Sequence, residues 1–446
     1  TYLGCDIDRA LNDNDNLNVY YSFQGHGGTV TVRGNNDTSK LYDIYVRSGS
    51  FGTSKNGLYS GIYVGGRGAT IYGYRRITVE GGYIYNIIGG LGSVSQTQDL
   101  NSVDINVKGG SIDVIFASSG SGATYGNRIV NATGGVVNNN IFGGSNGSTI
   151  NNNSSDTGVL YGDTFIYVGG NCKVGGATDA LFGAEIGSVF GVGNGNTNKD
   201  GLGAADNSNV IIDGQAEIAG NVYGGGNYGS VGAQSSSSTS TTNIQLLGGT
   251  INGNVYGGGN NNGSGITSVT STVNITMTNG VVKGSVYGGS NSSGIIYGSV
   301  NVNINGGEID NDVYGGGEGG YTSNNSVYTR GTFVRNNVDV TISSGLIKGS
   351  VYGGSAYGTV NAANYTTTTA GGTTSVTVEG GTIQNSVFGG GKGSSSYTPR
   401  VVGNVTVTVD GGTIGTVYGG NDAAGQPSGS DIVYLNGGTI GNAYGV

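Results

Sequence analysis

The chain has no tryptophan, one histidine, one methionine, two prolines and two cysteines among 446 residues, and only 10% of its residues carry charge. Each scarcity excludes something. His26, in "FQGHGGT", has no second histidine and no paired carboxylate beside it, so it reads as a turn residue rather than a general base. Cys5 and Cys172 are too few for a disulfide framework and too far apart for a metal knuckle; they pair across the fold or stay free. Lysine and arginine number 18 against 27 acids, giving a net charge of −9 and a pI near 4.5. Without a basic cluster to neutralise phosphates, nucleic acid is not an expected partner. No apolar run approaches a membrane span. The opening "TYLGCDID" lacks methionine and shows no leader, which suggests a processed or truncated product.

Glycine is what the chain has instead, 95 residues of it. Two prolines and no strict three-residue period exclude collagen. Disorder, the ordinary reading of Gly, Ser and Asn, is opposed by 35% hydrophobic residues, rich in Val, Ile and Tyr and placed periodically. Ordered β-structure with glycine-rich turns follows.

Internal repetition is the main signal. "GGTINGNVYGGG" (248–259) returns as "NGVVKGSVYGGS", "GGEIDNDVYGGG", "SGLIKGSVYGGS", "GGTIQNSVFGGG" and "GGTIGTVYGGN". Its aromatic residues are Tyr223, Tyr256, Tyr287, Tyr314, Tyr352, Phe388, Tyr418 and Tyr444, at intervals of 33, 31, 27, 38, 36, 30 and 26 residues. Weaker versions occur upstream in "GGYIYNIIGG" (81–90), around Phe142 and in "DALFGAEIGSVFG" (179–191). Each repeat opens on an alternating run such as "NVTVTVD" (404–410), a strand with one face buried. A glycine pair follows, where a positive φ is tolerated. A second strand carries the "TI..NVY" core, and a Gly/Ser/Asn/Thr loop of elastic length closes the unit.

The second strand sets its apolar residues four apart, as in Ile218/Val222, Ile251/Val255, Val282/Val286, Ile309/Val313, Ile347/Val351 and Ile383/Val387. Even spacing puts both on one face. At Ile414/Val417 and Ile440/Ala443 the spacing drops to three, which predicts a bend or the loss of a bulge residue. Such a unit cannot bury its apolar face alone. Stacking places each Ile over the next at roughly 4.8 Å. The fold class is therefore all-β, a parallel β-solenoid (β-helix) of about a dozen imperfect repeats of roughly 26–41 residues. Residues 77–446 form this repeat domain, and residues 1–76 read as an N-terminal cap or diverged rungs. In-register stacking also accounts for the missing charges, because like charges would face each other from rung to rung. Asn, Ser and Thr form hydrogen-bonded ladders there instead.

Material for catalysis is poor. "GGSNG" (143–147) matches the GxSxG form, but in a glycine-rich loop rather than at a strand-to-helix elbow. "DIDRALNDNDNLN" (6–18) fails the calcium-loop pattern at its third ligand, turn glycine and terminal Glu. No catalytic residue, cofactor or metal site is assigned. The Asn-x-Ser/Thr triplets at Asn131, Asn146, Asn262, Asn274 and Asn404 arise by chance in such a composition. Thr406 and Thr408 lack the regular Thr partners that ice binding would need. If Val of "VY" faces the core, the aromatic faces out or sits at a corner, so the rings form a stripe along the solenoid. A stiffening stacked ladder is the preferred reading, a platform for sugar rings the alternative.

The "GGTIxxxVYGGG" repeats resemble the glycine-rich β-solenoid repeats of bacterial surface proteins of the adhesin and autotransporter-passenger type, over roughly residues 77–446. No translocator domain is visible. The resemblance implies an exported, extracellular or cell-surface protein with a structural or adhesive role. The expected function is that of a subunit of a self-assembling fibre or surface matrix. "DIVYLNGGTIGNAYGV" runs the repeat through Tyr444 without a capping element, so its edge must meet another chain, be capped by a further segment or aggregate, and another copy is the expected partner. The last rungs (about 400–446) of one subunit would dock on the first residues (about 1–75) of the next, giving a head-to-tail homopolymer. A carbohydrate-binding adhesin is the alternative, and a polysaccharide-degrading enzyme or phage tailspike a third.

Overall fold

Strands with one apolar face and glycine turns find partners for both backbone edges by stacking on their own repeats, and the chain does this along its length. The computed structural model describes residues 7–8, 20–24, 27–31, 41–52, 61–64, 74–90, 99–100, 102–120, 122–147, 158–181, 184–195, 203–232, 240–261, 268–269, 272–319, 331–362 and 367–445. Cys5, His26, Asn262 and most of the acidic 6–18 stretch lie outside them. Among the described residues there is no α-helix, and the solenoid strands pair in parallel. The chain is an all-β parallel solenoid in two units, residues 1–220 with 226–230 and residues 221–225 with 231–446.

In the first unit the alternating strands stack Ile44, Ile77, Ile105, Val130, Ile166 and Val210 in register. The following strands stack Ile84, Ile112, Val137, Val174 and Ile218, all buried. Two kinds of pairing are described within residues 1–76. Leu41–Val46 and Ser50–Phe51 already form parallel rung pairings with Tyr74–Val79 and Tyr83–Ile88. Ahead of them, Ile7–Asp8 pairs antiparallel with Leu41–Val46, and Tyr20–Gln24 forms an antiparallel hairpin with Gly27–Thr31.

In the second unit the first strands stack Ile244, Ile275, Val302, Val340, Val376, Val407 and Val433. The second strands stack Ile251, Val282, Ile309, Ile347, Ile383, Ile414 and Ile440. The first six of these are at most 2% exposed, and Ile440, in the last rung, is half-buried. On the outward side Asn274 Nδ2 donates to Asn243 Oδ1, and Asn301 Nδ2 to Asn274 Oδ1, the uncharged ladder that register demands. Some of the charges form opposite pairs across adjacent rungs, as where Lys348 Nζ meets Glu308 and Asp310. The shortened spacing after Ile414 is a lost bulge residue. Ile383 pairs with Ile414 and Ser386 with Thr416, so Gln384 and Asn385 together oppose Gly415.

One expectation needs correction. The elastic pieces are not loops throughout. In the second unit they carry a separate five-stranded parallel ladder, Ser268–Val269, Gly294–Ile296, Thr332–Val334, Thr359–Val360 and Arg400–Val401. It buries Ile296, Val334, Val360 and Val401. Two or three residues are too few to show a period, so these strands exist only because a neighbouring rung supplies their hydrogen bonds.

The glycines have two distinct tasks. Gly381, in the turn before the second strand, holds φ at +79°, a left-handed conformation that costs a residue with a side chain. Gly353, the first glycine of "VYGG", is needed for space. A Cβ there would sit 2.3 Å from the carbonyl oxygen of Gly389 on the next rung and 2.6 Å from Thr374 Cγ2. We expect Gly353→Ala to destabilise the second unit by about 1–3 kcal/mol, the usual cost of overpacking. Chemical denaturation monitored by circular dichroism measures this, and an unchanged midpoint would remove the steric account.

Candidate functional site

The column of rings after the "V" of each repeat is the most regular side-chain array in the second unit. Tyr223, Tyr256, Tyr287, Tyr314, Tyr352, Phe388, Tyr418 and Tyr444 stack with centroids 4.7–5.1 Å apart and planes within 13° of parallel. The first unit has a shorter column, Phe116, Phe142 and Phe190, at 4.7 and 4.8 Å. The rings do not form an outward stripe. From Tyr223 to Phe388 each is at most 7% exposed; Tyr418 is half-buried and Tyr444 is 49% exposed. Val and aromatic are buried together because the two-residue "VY" strand sits at a corner, where alternation across a flat sheet no longer applies. An open ring platform is therefore not what these residues present.

The residue before each Val builds a second column. Asn254 N–H donates to Asn221 Oδ1 (2.6 Å), Ser285 N–H to Asn254 Oδ1 (2.7 Å) and Asp312 N–H to Ser285 Oγ (3.2 Å). Ser350 N–H then donates to Asp312 Oδ1 (2.8 Å) and Ser386 N–H to Ser350 Oγ (3.3 Å). Each side chain thus receives the N–H that starts the next corner, a use of Asn, Asp and Ser common in turns. Several also hold the hydroxyl of their own ring. Asn221 and Asn254 donate Nδ2 to Tyr223 and Tyr256, and Tyr314 donates to Asp312 Oδ2 at 2.7 Å.

A third column lies four residues after each aromatic and reaches the corner two rings earlier. Asn291, four after Tyr287, donates to the Tyr223 hydroxyl (3.4 Å). Glu318, four after Tyr314, accepts from Tyr256 (2.5 Å). Lys392, four after Phe388, donates to Asp312 beside Tyr314 (2.9 Å), and Asp422, four after Tyr418, accepts from Tyr352 (3.0 Å). Burial first, and the nearby carboxylates second, push the Tyr256, Tyr287, Tyr314 and Tyr352 phenols far above their ordinary range.

The same rule assigns the hydroxyl of Tyr287 to the residue four after Tyr352, which is Ala356. Alanine has nothing to offer, and a polar cleft of about 400 Å³ opens there. Its lining includes Tyr287, Asp310, Asp312, Glu318, Lys348, Tyr357 and Lys392. Spacing within a repeat did not reveal these residues; only alignment across three repeats, at the positions one before Val and four after the ring, would have found them.

The remaining sequence features are structural where described. Ser145 of "GGSNG" is buried, its hydroxyl 3.0 Å from that of Ser119 on a neighbouring rung. Cys172 is a buried free thiol that desolvation raises to about 12, so it is a poor nucleophile at neutral pH. Among the described residues no group of three or more His, Cys, Asp or Glu is placed to hold a metal ion, and no helix is long and apolar enough to cross a membrane.

These features define the class as a glycine-rich parallel β-solenoid with an internal aromatic ladder. No protein-family model, no curated protein and no solved structure matches the chain.

Proposed function

We propose that the protein is an extracellular or cell-surface structural protein, a subunit of a fibre or surface matrix built by head-to-tail stacking of copies. The observation that carries this reading is the uniform register of the second unit, in which each rung is joined to the next by the same Ile, Val and ring columns. Asp431–Leu435 and Thr439–Tyr444 keep the interior register, with Val433 on Val407, Ile440 on Ile414 and the Tyr444 ring 5.1 Å from Tyr418. A rung built this way matches any other rung of the same register, whether of the same chain or of another copy. A second copy is the proposed partner, its first 75 residues or so docking on the rungs at about 400–446 of the first. Export fits the resemblance of the repeats to those of surface proteins and a composition of uncharged ladders.

Sedimentation and electron microscopy of the intact chain over rising concentration test this. Ile440→Asp places a carboxyl where the next Ile would sit, and being half-buried it should leave the chain folded but unable to elongate. A chain that stays monomeric at high concentration, or an Ile440→Asp variant forming assemblies of normal length, would overturn the proposal. A second reading, carbohydrate binding, is favoured by the cleft over Tyr287.

A further inference from the structure

We infer that the cleft over Tyr287 is a binding site for a neutral saccharide, a function beyond assembly. Its first support is the gap in the third column. Position four after the ring presents Asn291, Glu318, Lys392 and Asp422 to corners two rings earlier, but Ala356 to Tyr287. The space is not filled by the protein. It amounts to about 400 Å³, within the range of small-ligand sites, which begins at roughly 300 Å³.

The second support is the chemistry of the walls. Carboxylates of Asp310, Asp312 and Glu318 accept hydrogen bonds, while the ammonium groups of Lys348 and Lys392 donate them. Lys392 reaches from one wall to Asp312 at 2.9 Å, and Lys348 is held by Asp310 at 2.7 Å. Three acids discourage an anion and two ammonium groups discourage a cation. Sugar hydroxyls, each both donor and acceptor, match alternating donors and acceptors with little net charge. Tyr357 completes the polar wall, its ring set against that of Tyr397 at 5.5 Å. Tyr287, the ring whose third-column residue is Ala356, is part of the same lining, beside Ser285.

The test uses the intact chain in saturation-transfer NMR and titration calorimetry with glucose, galactose and N-acetylglucosamine, and with spermidine and glucuronate as charged probes. At least one neutral sugar should bind. Ala356→Glu restores the rule by placing a carboxylate over Tyr287, and should weaken binding at least about tenfold. Glu318→Gln keeps shape but loses an acceptor, and should weaken it by a similar factor with the circular dichroism spectrum unchanged. That variant decides the matter if Ala356→Glu does not fold. Binding of spermidine or glucuronate alone, absence of binding by any neutral sugar, or binding unaltered in Glu318→Gln would each overturn the assignment.

Discussion

Ile347→Asp should break the second unit at its middle. Ile347 is fully buried, with Ile309 on one neighbouring rung and Ile383 on the other. Loss of the packed side chain alone costs about 2–5 kcal/mol, and a carboxyl left without hydrogen-bond partners adds about 1–3 kcal/mol. In a stacked array these losses fall on two interfaces at once, since each rung touches only its neighbours. Limited proteolysis should then cut near residue 347, where the wild-type chain resists, and hydrogen exchange should accelerate in Val338–Ile347 and Thr382–Phe388. Ile347→Val, which keeps the branch and loses a methylene, should cost only about 0.5–1.5 kcal/mol. An Asp variant as protease-resistant as wild type would show that the Ile column does not carry the fold.

Alkali should unfold the second unit abruptly. The phenols of Tyr256, Tyr287, Tyr314 and Tyr352 are raised from an ordinary value of 10.0, by burial foremost and then by carboxylates such as Glu318 and Asp312. A raised phenol binds its proton more tightly in the folded state than in the unfolded one. Its contribution is therefore complete below pH 10 and is lost as pH climbs past it. Each such group withdraws about 1.4 kcal/mol per pH unit once the unfolded chain ionises, and four act together for about 5 kcal/mol per unit. Absorbance at 295 nm should show these phenols ionising only as the β-sheet signal disappears. Phenolate absorbance that reaches the full value for all 29 tyrosines with the sheet intact would refute the buried hydroxyl network. On the acid side Asp339, raised by burial, has the same sign as the phenols: its folded form gains as pH falls, and the gain is complete below pH 3.8. Asp310 is lowered, first by its hydrogen bond to Lys348, and loses its contribution as pH falls.

The repeat, its period and the Ile column were legible in the sequence because alternation and even spacing survive over five or more residues. The ring stack was legible as a register. Its burial was not, because whether Tyr follows Val inward depends on a corner that a two-residue strand cannot announce. Val269, Ile296, Val334, Val360 and Val401 were hidden in stretches that look like linker, since their strands are two or three residues long. In the first unit Arg75 and Arg128 occupy fully buried positions at the start of alternating strands, in register with Val103 between them. Charge argues for an exposed edge, yet Arg128 is accommodated by carbonyls of Tyr125, Gly126 and Asn127 at 3.1–3.2 Å. The cleft escaped notice for a different reason. Ala356 is conspicuous only against the polar residues that fill the same place in other repeats, and those contact rings two repeats away.

The direction of the backbone hydrogen bonds has a mechanical meaning. Val338 N–H bonds Thr373, Val313 N–H bonds Ser350 and Gly353 N–H bonds Phe388, each linking one rung to the next. A load applied along the stack of the second unit meets these interfaces in series, while the bonds within one interface share it. Such a material yields by peeling whole turns rather than by stretching. Each turn released would pay out 26–38 residues of chain, or roughly 90–130 Å of slack at full extension. The uneven loop lengths then become a graded set of shock absorbers, with the longest reserve stored between Tyr314 and Tyr352.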